Sequence, residues 1–273
     1  MSSATTPSGA RPSAADWDFE QAAVWGSAAW QNIAATELFP VHDELVERLA
    51  PRPGERWLDL ATGTGAVALR AARAGAEVTA QDLSPALIET ARRLAADEGL
   101  AIRFDVGNAE RLPYPDASFD VLSSAHGVVF TADHAAMARE LARVCRPGGR
   151  LGLTYWLPNP ELRRLMDRMG YERPEGADRP KDWAEPDYSS KLLGDDFELE
   201  FREAVCPWTG GSGEAIWQLT IASDGPAKTG VESLDAAERE ALHRDWVDYF
   251  ERYRVGDGIS APRPYFLLLG RRR

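Results

Sequence analysis

The chain has 273 residues, 44% hydrophobic and 27% charged, which is typical of a folded globular protein and excludes a disordered, collagen-like or coiled-coil chain. This length fits one domain with appended helices. With 43 acidic and 31 basic residues the formal charge is −12, so the chain repels phosphate backbones and anionic lipid headgroups, and nucleic acid is not an expected partner.

The N-terminal part is predicted to be a mobile tail followed by a helical lid. Residues 1–15 are mostly small or polar and have little apolar surface to bury. Residues 16–50 have helical patterns, and Pro40 is expected to separate two helices. The chain has neither the run of about 20 apolar residues that spans a bilayer nor a secretory signal, so we expect a cytoplasmic protein with no membrane partner.

Residues 55–156 alternate short apolar runs with helical patterns, which is typical of βαβ units around a parallel sheet. Strands are predicted at 56–60, 77–81, 102–106, 119–124 and 150–156. Ser84 is expected to cap a helix that stops at Gly99. Met137, Leu141 and Val144 mark the inner face of a later helix.

Residues 157–273 are expected to form a C-terminal part with insertions that face the substrate. Apolar and charged residues alternate over 197–202, which predicts a strand near a sheet edge with one wet face. Asp235 and Glu238 form a predicted capping box at the start of the last helix. The apolar run 265–269 predicts a central strand.

A glycine-rich loop, residues 59–65, follows the first strand and allows the backbone to approach a nucleotide-like ligand. Asp82 lies about 20 residues after the loop, where a carboxylate can accept hydrogen bonds from both ribose hydroxyls. The loop also fits a Gly-x-Gly-x-x-Ala dinucleotide fingerprint, as in a nicotinamide-dependent oxidoreductase. Asp59 argues against that alternative, because its charge would face a pyrophosphate and favours a cationic ligand.

Residues 55–156 resemble class I S-adenosylmethionine-dependent methyltransferases, in particular the bacterial small-molecule group called UbiE-like or methyltransferase type 11. Two positions depart from the family pattern. Ala61 stands where the first glycine is usual, and Asn108 stands where many members have aspartate. The resemblance is carried by residues 59–65 (DLATGTG), 81–84 (QDLS), 107–113 (GNAERLP), 119–120 (FD) and 146–150 (RPGGR).

The resemblance implies an α/β fold: a Rossmann-like three-layer sandwich whose seven-stranded, mostly parallel sheet has the order 3-2-1-4-5-7-6 and an antiparallel last strand. It also implies S-adenosyl-L-methionine as cofactor. Asp59 would lie near the methionine ammonium and Asp82 would bind the ribose. The other cofactor residues would be Ala61, Gly63 and Gly65 along the methionine tail, Leu83 over the adenine, and Asn108 and Ala109 at the adenine edge.

Methyl transfer requires the nucleophile, methyl carbon and sulfur to be held in line without water, so a base is optional. His126 directly follows the carboxyl end of a predicted strand, which makes it the candidate base. A role in the pocket wall is its alternative. His42, His134 and His243 lie in helical patterns and are expected on the surface or in packing.

Trp25, Trp30 and Trp156 fall where the resemblance places the lid and the mouth of the site, and they are candidate walls for a flat or cationic acceptor. Core packing is their alternative role. Cys145 and Cys206 are far apart and lie near no histidine cluster, so we predict buried thiols, without a metal site or disulfide.

The sequence thus predicts an enzyme that methylates an oxygen, nitrogen or carbon atom of a small organic acceptor in specialised, or secondary, metabolism. Two alternatives stay open: a nicotinamide-dependent oxidoreductase, and a methyltransferase-like protein that binds the cofactor without transferring methyl. The acceptor and the oligomeric state are not indicated.

Overall fold

The structure, a computed structural model, describes residues 14–32, 39–157, 159–169 and 177–273. Within them the strands are β1 (Arg56–Leu60), β2 (Glu77–Asp82), β3 (Ile102–Val106), β4 (Phe119–Ala125), β5 (Cys145–Trp156), β6 (Phe197–Gly210), β7 (Arg254–Val255) and β8 (Gly258–Arg272). The helices are α1 (Ala14–Gly26), α2 (Phe39–Leu49), α3 (Ala66–Arg73), α4 (Pro85–Asp97), α5 (His134–Val144), α6 (Pro160–Arg168), α7 (Pro186–Leu193), α8 (Gly213–Ser223), α9 (Gly225–Ser233) and α10 (Ala236–Glu251).

All of these strands form one sheet in the order β3-β2-β1-β4-β5-β8-β6, with the short β7 paired to β8. The strands from β1 to β5 are parallel. The long β8 runs antiparallel between β5 and β6. This is the predicted order with its antiparallel last strand, so the predicted fold class is confirmed. The additional strand, β7, forms a hairpin with the start of β8.

Helices cover both faces of the sheet and make the predicted three layers. Met137 and Leu141 of α5 belong to the core on one face. Leu45 and Leu49 of α2 belong to the core on the other face, together with residues of α3 and α4. Full burial of a leucine side chain stabilises a fold by roughly 1.5–3 kcal/mol. Because β1, β4 and β5 are covered on both sides, most of their residues are buried.

Helix α2 runs antiparallel to β5 and lies directly on it. A Cβ added to Gly152 would lie 2.7 Å from Cδ1 of Leu45. Near the start of the strand, Nε of Arg150 donates to the carbonyl of Leu49 at 2.8 Å. The first turn of α2 therefore points toward the carboxyl end of β5, where the site lies.

The C-terminal part forms a helical cap beyond the carboxyl ends of the strands. Its own hydrophobic cluster includes Leu162 of α6, Trp208 of β6 and Trp246 of α10. The predicted capping box of Asp235 and Glu238 is present at the start of α10. The predicted edge strand is β6, and the predicted central strand is part of β8.

Several details of the sequence prediction differ from the structure. Pro40 does not separate two helices; it lies in the first turn of α2, where its fixed φ fits and its missing N–H breaks no helical hydrogen bond. Ser84 precedes α4 as predicted, but its side chain makes no capping hydrogen bond. Of the predicted tail, residues 1–13 lie outside the described residues, and residues 14–15 begin α1.

Both cysteines are buried, as predicted: Cys145 is 2% exposed and Cys206 is 1% exposed. Among the described residues, no helix has the length and apolar character needed to cross a bilayer.

Candidate active site

The carboxyl ends of the parallel strands open into a cavity of about 500 Å³, a size that suits a small-molecule site. Its floor is made by the loops that follow the strands, and its roof by α1, α6 and the α8–α9 junction. Two predicted site residues, Asp59 and Gly65, do not line it. The predicted residues that do are Trp25, Trp30, Ala61, Gly63, Asp82, Leu83, Asn108, Ala109, His126 and Trp156.

Three small residues of the loop after β1 have different roles. Gly63 has a φ of +58° and open space where a Cβ would lie, so it gives a ligand access to the backbone. Gly65 faces away from the cavity: its φ is +87°, and a Cβ there would lie 3.3 Å from Cβ of Ala91 in α4. Ala61 has a φ of +48°, the left-handed conformation that favours glycine. The departure from the family pattern at Ala61 therefore places a Cβ at a strained position.

Asp82 links the loop after β1 to the loop after β2. Its Oδ2 accepts from the N–H of Gly63 at 2.8 Å, and its Oδ1 accepts from the N–H of Ser84 at 2.8 Å. Burial raises the pKa of Asp82 to about 6, although these backbone donors and that of Leu83 oppose the rise. Each carboxylate oxygen has further acceptor capacity, so Asp82 can still accept from a ligand's hydroxyls.

Asp59 lies beneath the loop rather than at the cavity surface. It is 1% exposed. Its Oδ1 accepts from Oγ of Ser123 in β4 at 2.6 Å, and its Oδ2 accepts from Oγ1 of Thr62 at 2.5 Å. Burial raises its pKa to about 6, with the Asp82 charge as a smaller contribution. In this structure Asp59 holds the loop against β4, and its predicted contact with the methionine ammonium stays a prediction.

The loop after β3 is tied to the lid. Asn108 lines the cavity, its Nδ2 donates to Oδ1 of Asp18 in α1 at 2.9 Å, and its Oδ1 accepts from the N–H of Glu110 at 2.7 Å. Asn108 thus already uses an acceptor and a donor within the protein.

His126 packs face to face with Trp156. The ring centroids are 3.9 Å apart and the planes differ by 10°. Both ring nitrogens of His126 are shielded from solvent and have no hydrogen-bond partner among the residues that the structure describes. Burial, and to a smaller extent the nearby His42 and Arg263, lowers the pKa of His126 well below its ordinary value. Its imidazole is therefore neutral at physiological pH.

His42 is a cavity residue that sequence reasoning missed. It lies in the first turn of α2, is 4% exposed and lines the cavity. Its Nδ1 is shielded from solvent and has no partner among the described residues. Burial and the Arg70 guanidinium lower the pKa of His42 to about 3. The sequence pattern of a helix does not indicate that one of its histidines lines a cavity. His42 reaches the cavity only because α2 packs on β5.

The cavity wall contains a column of stacked groups. The Arg263 guanidinium lies 4.2 Å from the ring centroid of Trp156 and 4.6 Å from that of Trp208. His126 and Arg263 both lie directly against Trp156, so they occupy opposite faces of its indole. Both faces of the Trp156 indole are therefore covered. A cationic acceptor, one of the two types predicted for this residue, has no open face on which to stack.

The lid contributes a second aromatic wall. Trp25 lies 5.5 Å from Trp30 and 4.8 Å from Phe130, measured between ring centroids. Nε1 of Trp30 donates to the carbonyl of Trp25 at 2.8 Å, which fixes the turn after α1. Asp224 at the start of α9 lies in the same cavity, and burial raises its pKa to about 6.

Other polar residues have structural positions. Asp120 accepts from the N–H of Arg56 at 2.7 Å and pairs with Arg146, as expected for a residue away from the ligand.

His134 is buried and bonds Tyr188 and a backbone carbonyl. His243 pairs with Glu214 at the surface. Both histidines therefore fit the prediction of a packing or surface role. Among the described residues no group of three or more His, Cys, Asp or Glu is arranged to hold a metal.

Comparison with known proteins agrees with the motifs. A family model described as a methyltransferase domain matches residues 58–153. An uncharacterized protein of Mycobacterium tuberculosis is 38% identical over 176 residues, 63% of this chain and 64% of the relative, so just under two thirds of its length is covered. Demethylmenaquinone methyltransferase of Deinococcus radiodurans is 44% identical over 114 residues, 41% of this chain and 47% of that protein.

The fold is also that of solved structures. The YcgJ protein of Bacillus subtilis has a TM-score of 0.59 at 21% identity, over 85% of this chain and 97% of that chain. The sheet order, the motifs at the carboxyl ends of β1, β2 and β3, and the matched domain agree with one another. The matched domain and the fold are therefore similar to those of class I S-adenosylmethionine-dependent methyltransferases, which supports S-adenosylmethionine as the cofactor.

Proposed function

We propose that this protein transfers a methyl group from S-adenosyl-L-methionine to an oxygen, nitrogen or carbon atom of a small organic acceptor. One observation carries the proposal: the cofactor motifs and the aromatic residues of the lid and cap line the same cavity. Cofactor and acceptor can therefore meet there without a further domain. A place in specialised metabolism and in the cytoplasm stays a prediction from the sequence.

The residues present fit the cofactor. Gly63 leaves space for a ligand at the backbone, and Asp82 has remaining acceptor capacity for the two ribose hydroxyls. Leu83 and Ala109 supply an apolar slot between the loops after β2 and β3. Gln81 adds a buried Nε2 donor that has no partner among the described residues and lies beside Gly107.

When bound, the cofactor supplies an electrophilic methyl group on a sulfonium. The chain's own residues then have to align the acceptor and exclude water. The lid residues Trp25 and Trp30 close one side of the cavity, and Trp156 closes the other. Because His126 and Arg263 hold Trp156 from both faces, this wall is rigid on the side where the acceptor must be aligned.

For an acceptor that must lose a proton, we propose that an imidazole of this wall receives it. His126 was predicted for this role, but its ring nitrogens are shielded in the observed conformation and could reach an acceptor only after the ring leaves Trp156. His42 lines the same cavity. Both imidazoles are neutral, but the burial that lowers their pKa also makes them weak bases, so either one can receive the proton only if acceptor binding raises that pKa.

The experiment combines cofactor binding with methyl transfer. Isothermal calorimetry of the purified protein should show binding of S-adenosylhomocysteine and none of NAD⁺ or NADP⁺. Transfer of labelled methyl from S-adenosylmethionine to a panel of phenols, amines and carbon acids would then identify the acceptor class. Binding of a dinucleotide instead would overturn the proposal. Cofactor binding without turnover of any panel member would favour the alternative of a methyltransferase fold that binds without transfer.

A further inference from the structure

Helix α1 contacts the loop after β3 through the Asp18 carboxylate, which has two partners there. Oδ1 of Asp18 accepts from Nδ2 of Asn108 at 2.9 Å, and Oδ2 accepts from the Arg111 guanidinium at 2.7 Å. Both partners belong to the loop after β3, about ninety residues away in the chain. The Asp18 side chain is 19% exposed, so these bonds are partly withdrawn from solvent. Charged hydrogen bonds of this kind are stronger than those between neutral groups.

The identity of residue 108 is explained by this contact. Oδ1 of Asn108 accepts from the N–H of Glu110 at 2.7 Å, which fixes the amide so that its NH₂ group points to Asp18. An aspartate at position 108, which many family members have, would bring two carboxylates within about 3 Å and repel α1. The unusual asparagine in the loop and the acidic residue in the lid are therefore complementary.

Asp18 also faces the cofactor side of the cavity. It lines the cavity together with Leu83, Asn108 and Ala109, the residues predicted to surround the adenine. A carboxylate has about four acceptor positions, and Asp18 uses two of them for protein donors. It can accept a further hydrogen bond from an exocyclic amino group without losing either partner.

Helix α1 packs closely on the rest of the protein near its C-terminal end, where a Cβ on Gly225 would lie 2.1 Å from the carbonyl of Val24. At its C-terminal end α1 is close to α4, since a Cβ on Gly26 would lie 2.6 Å from Oγ of Ser84. Toward Asp18 a second cavity of about 430 Å³ separates α1 from the start of α4. The helix is thus held by close packing at one end and by the Asp18 hydrogen bonds at the other.

We propose that Asp18 supplies, from the lid, the carboxylate that the loop after β3 lacks: it accepts a hydrogen bond from the adenine amino group and fastens α1 over the bound cofactor. This inference rests on the proposed function, because it takes S-adenosylmethionine as the ligand. In this proposal the same carboxylate recognises the adenine and holds α1 over the bound cofactor.

The test measures affinity for two ligands: S-adenosylhomocysteine and S-inosylhomocysteine, in which a carbonyl replaces the amino group. Asp18→Ala should weaken S-adenosylhomocysteine about tenfold or more by calorimetry and bring the two ligands to similar affinity. Glu20→Ala, which removes the same charge from an exposed position on α1, is the matched control and should leave both affinities unchanged. A wild-type level of discrimination in Asp18→Ala would overturn the adenine contact.

A second experiment exchanges the side chains of residues 18 and 108. Asn108→Asp alone should weaken S-adenosylhomocysteine, because it sets two carboxylates against each other. Asp18→Asn combined with Asn108→Asp should restore the affinity to within about threefold of wild type, since one carboxylate and one amide again face each other. Failure of the double variant to recover, with an unchanged melting temperature, would overturn the complementarity of the pair.

Hydrogen exchange reports on the lid itself. S-adenosylhomocysteine should slow exchange of the first turns of α1 in the wild type and not in Asp18→Ala. Equal protection in both proteins would overturn the fastening role. If the wild type bound no S-adenosylhomocysteine, the proposed function would be wrong. If the wild type and Asp18→Ala bound it equally well, the proposed function would stand and the role of Asp18 would be wrong.

Discussion

The two halves of the cavity are built in different ways. The cofactor half is formed by short loops that follow β1, β2 and β3, and its residues lie within continuous motifs such as 59–65 and 107–113. The acceptor half collects single residues from distant parts of the chain: His42 from α2, His126 from the end of β4, Trp156 from β5 and Arg263 from β8. One half is encoded locally, and the other exists only when α2 lies on β5 and β8 pairs with β5.

This difference also separates two kinds of chemistry. Buried carboxylates characterise the cofactor half: Asp82 lines it, and Asp59 lies beneath its loop. Neutral imidazoles and a guanidinium stacked between indoles characterise the acceptor half. A local motif keeps a conserved ligand in place, whereas separate side chains can change independently and so define the acceptor.

Asp82→Ala should have the largest effect, because it removes the proposed acceptor of both ribose hydroxyls and also releases the N–H of Gly63. Two charge-assisted hydrogen bonds contribute about 1.5–3 kcal/mol each, so affinity for S-adenosylhomocysteine should fall by about 100-fold or more. Calorimetry measures it, with the exposed Asp97→Ala on α4 as control. Wild-type affinity in Asp82→Ala would refute the ribose assignment.

His126→Ala should lower kcat by about 10- to 100-fold while affinity for S-adenosylhomocysteine stays within about threefold, because the wall that aligns the acceptor loses its support. Steady-state kinetics with an acceptor identified by the panel gives the value.

His126→Phe sharpens the same comparison, because phenylalanine keeps the stacking on Trp156 and has no ring nitrogen. We expect it to retain most of the activity, since both nitrogens of His126 are shielded from the cavity. That result would exclude His126 as the proton acceptor. A loss as large as that of the alanine variant would instead assign the base role to His126.

The same contrast decides how much of the molecule could be predicted from the sequence. The sheet order and the cofactor loops were predictable, because glycine turns, strand-end carboxylates and apolar runs are local patterns. His42 and Arg263 were not, since their places depend on α2 lying against β5 and on the pairing of β8 with β5. Asp18 was missed for the same reason: a polar residue in a helix gives no sign that it bonds a loop ninety residues away.

Acidification should affect the two halves with opposite sign. The folded-state pKa of Asp82 is raised to about 6, so its contribution to the free energy of unfolding increases as the pH falls through 6. The folded-state pKa of His126 is lowered, so its contribution decreases as the pH falls through the unfolded value near 6.5. Each contribution changes by at most about 1.4 kcal/mol per pH unit.

Variants separate these opposing contributions. Between pH 7.5 and 5, urea unfolding should show the wild type gaining stability relative to Asp82→Asn and losing stability relative to His126→Phe. The same sign for both differences would contradict the division of the cavity into an acidic and an imidazole half.

Ala61→Gly should have the smallest effect and tests the boundary between the halves. Ala61 has a φ of +48°, which costs an alanine roughly 1–2 kcal/mol. Glycine removes that strain but loses about 0.4–1 kcal/mol through the greater freedom of the unfolded chain. The net stabilisation should therefore be about 0–1.6 kcal/mol, and cofactor affinity should change by less than about threefold.

Ala117→Gly is the matched control for this substitution, because Ala117 has a φ of +51° on an exposed turn before β4, away from the cavity. Both variants should be stabilised by similar amounts in urea unfolding.

Ala61 has a further neighbour: a Cβ on Gly127 would lie 2.4 Å from the Cβ of Ala61. The loop after β1 and the residue that follows His126 are therefore in direct contact. If Ala61→Gly alone lowered kcat, the cofactor loop would be setting the position of the acceptor wall, and the two halves would not be independent.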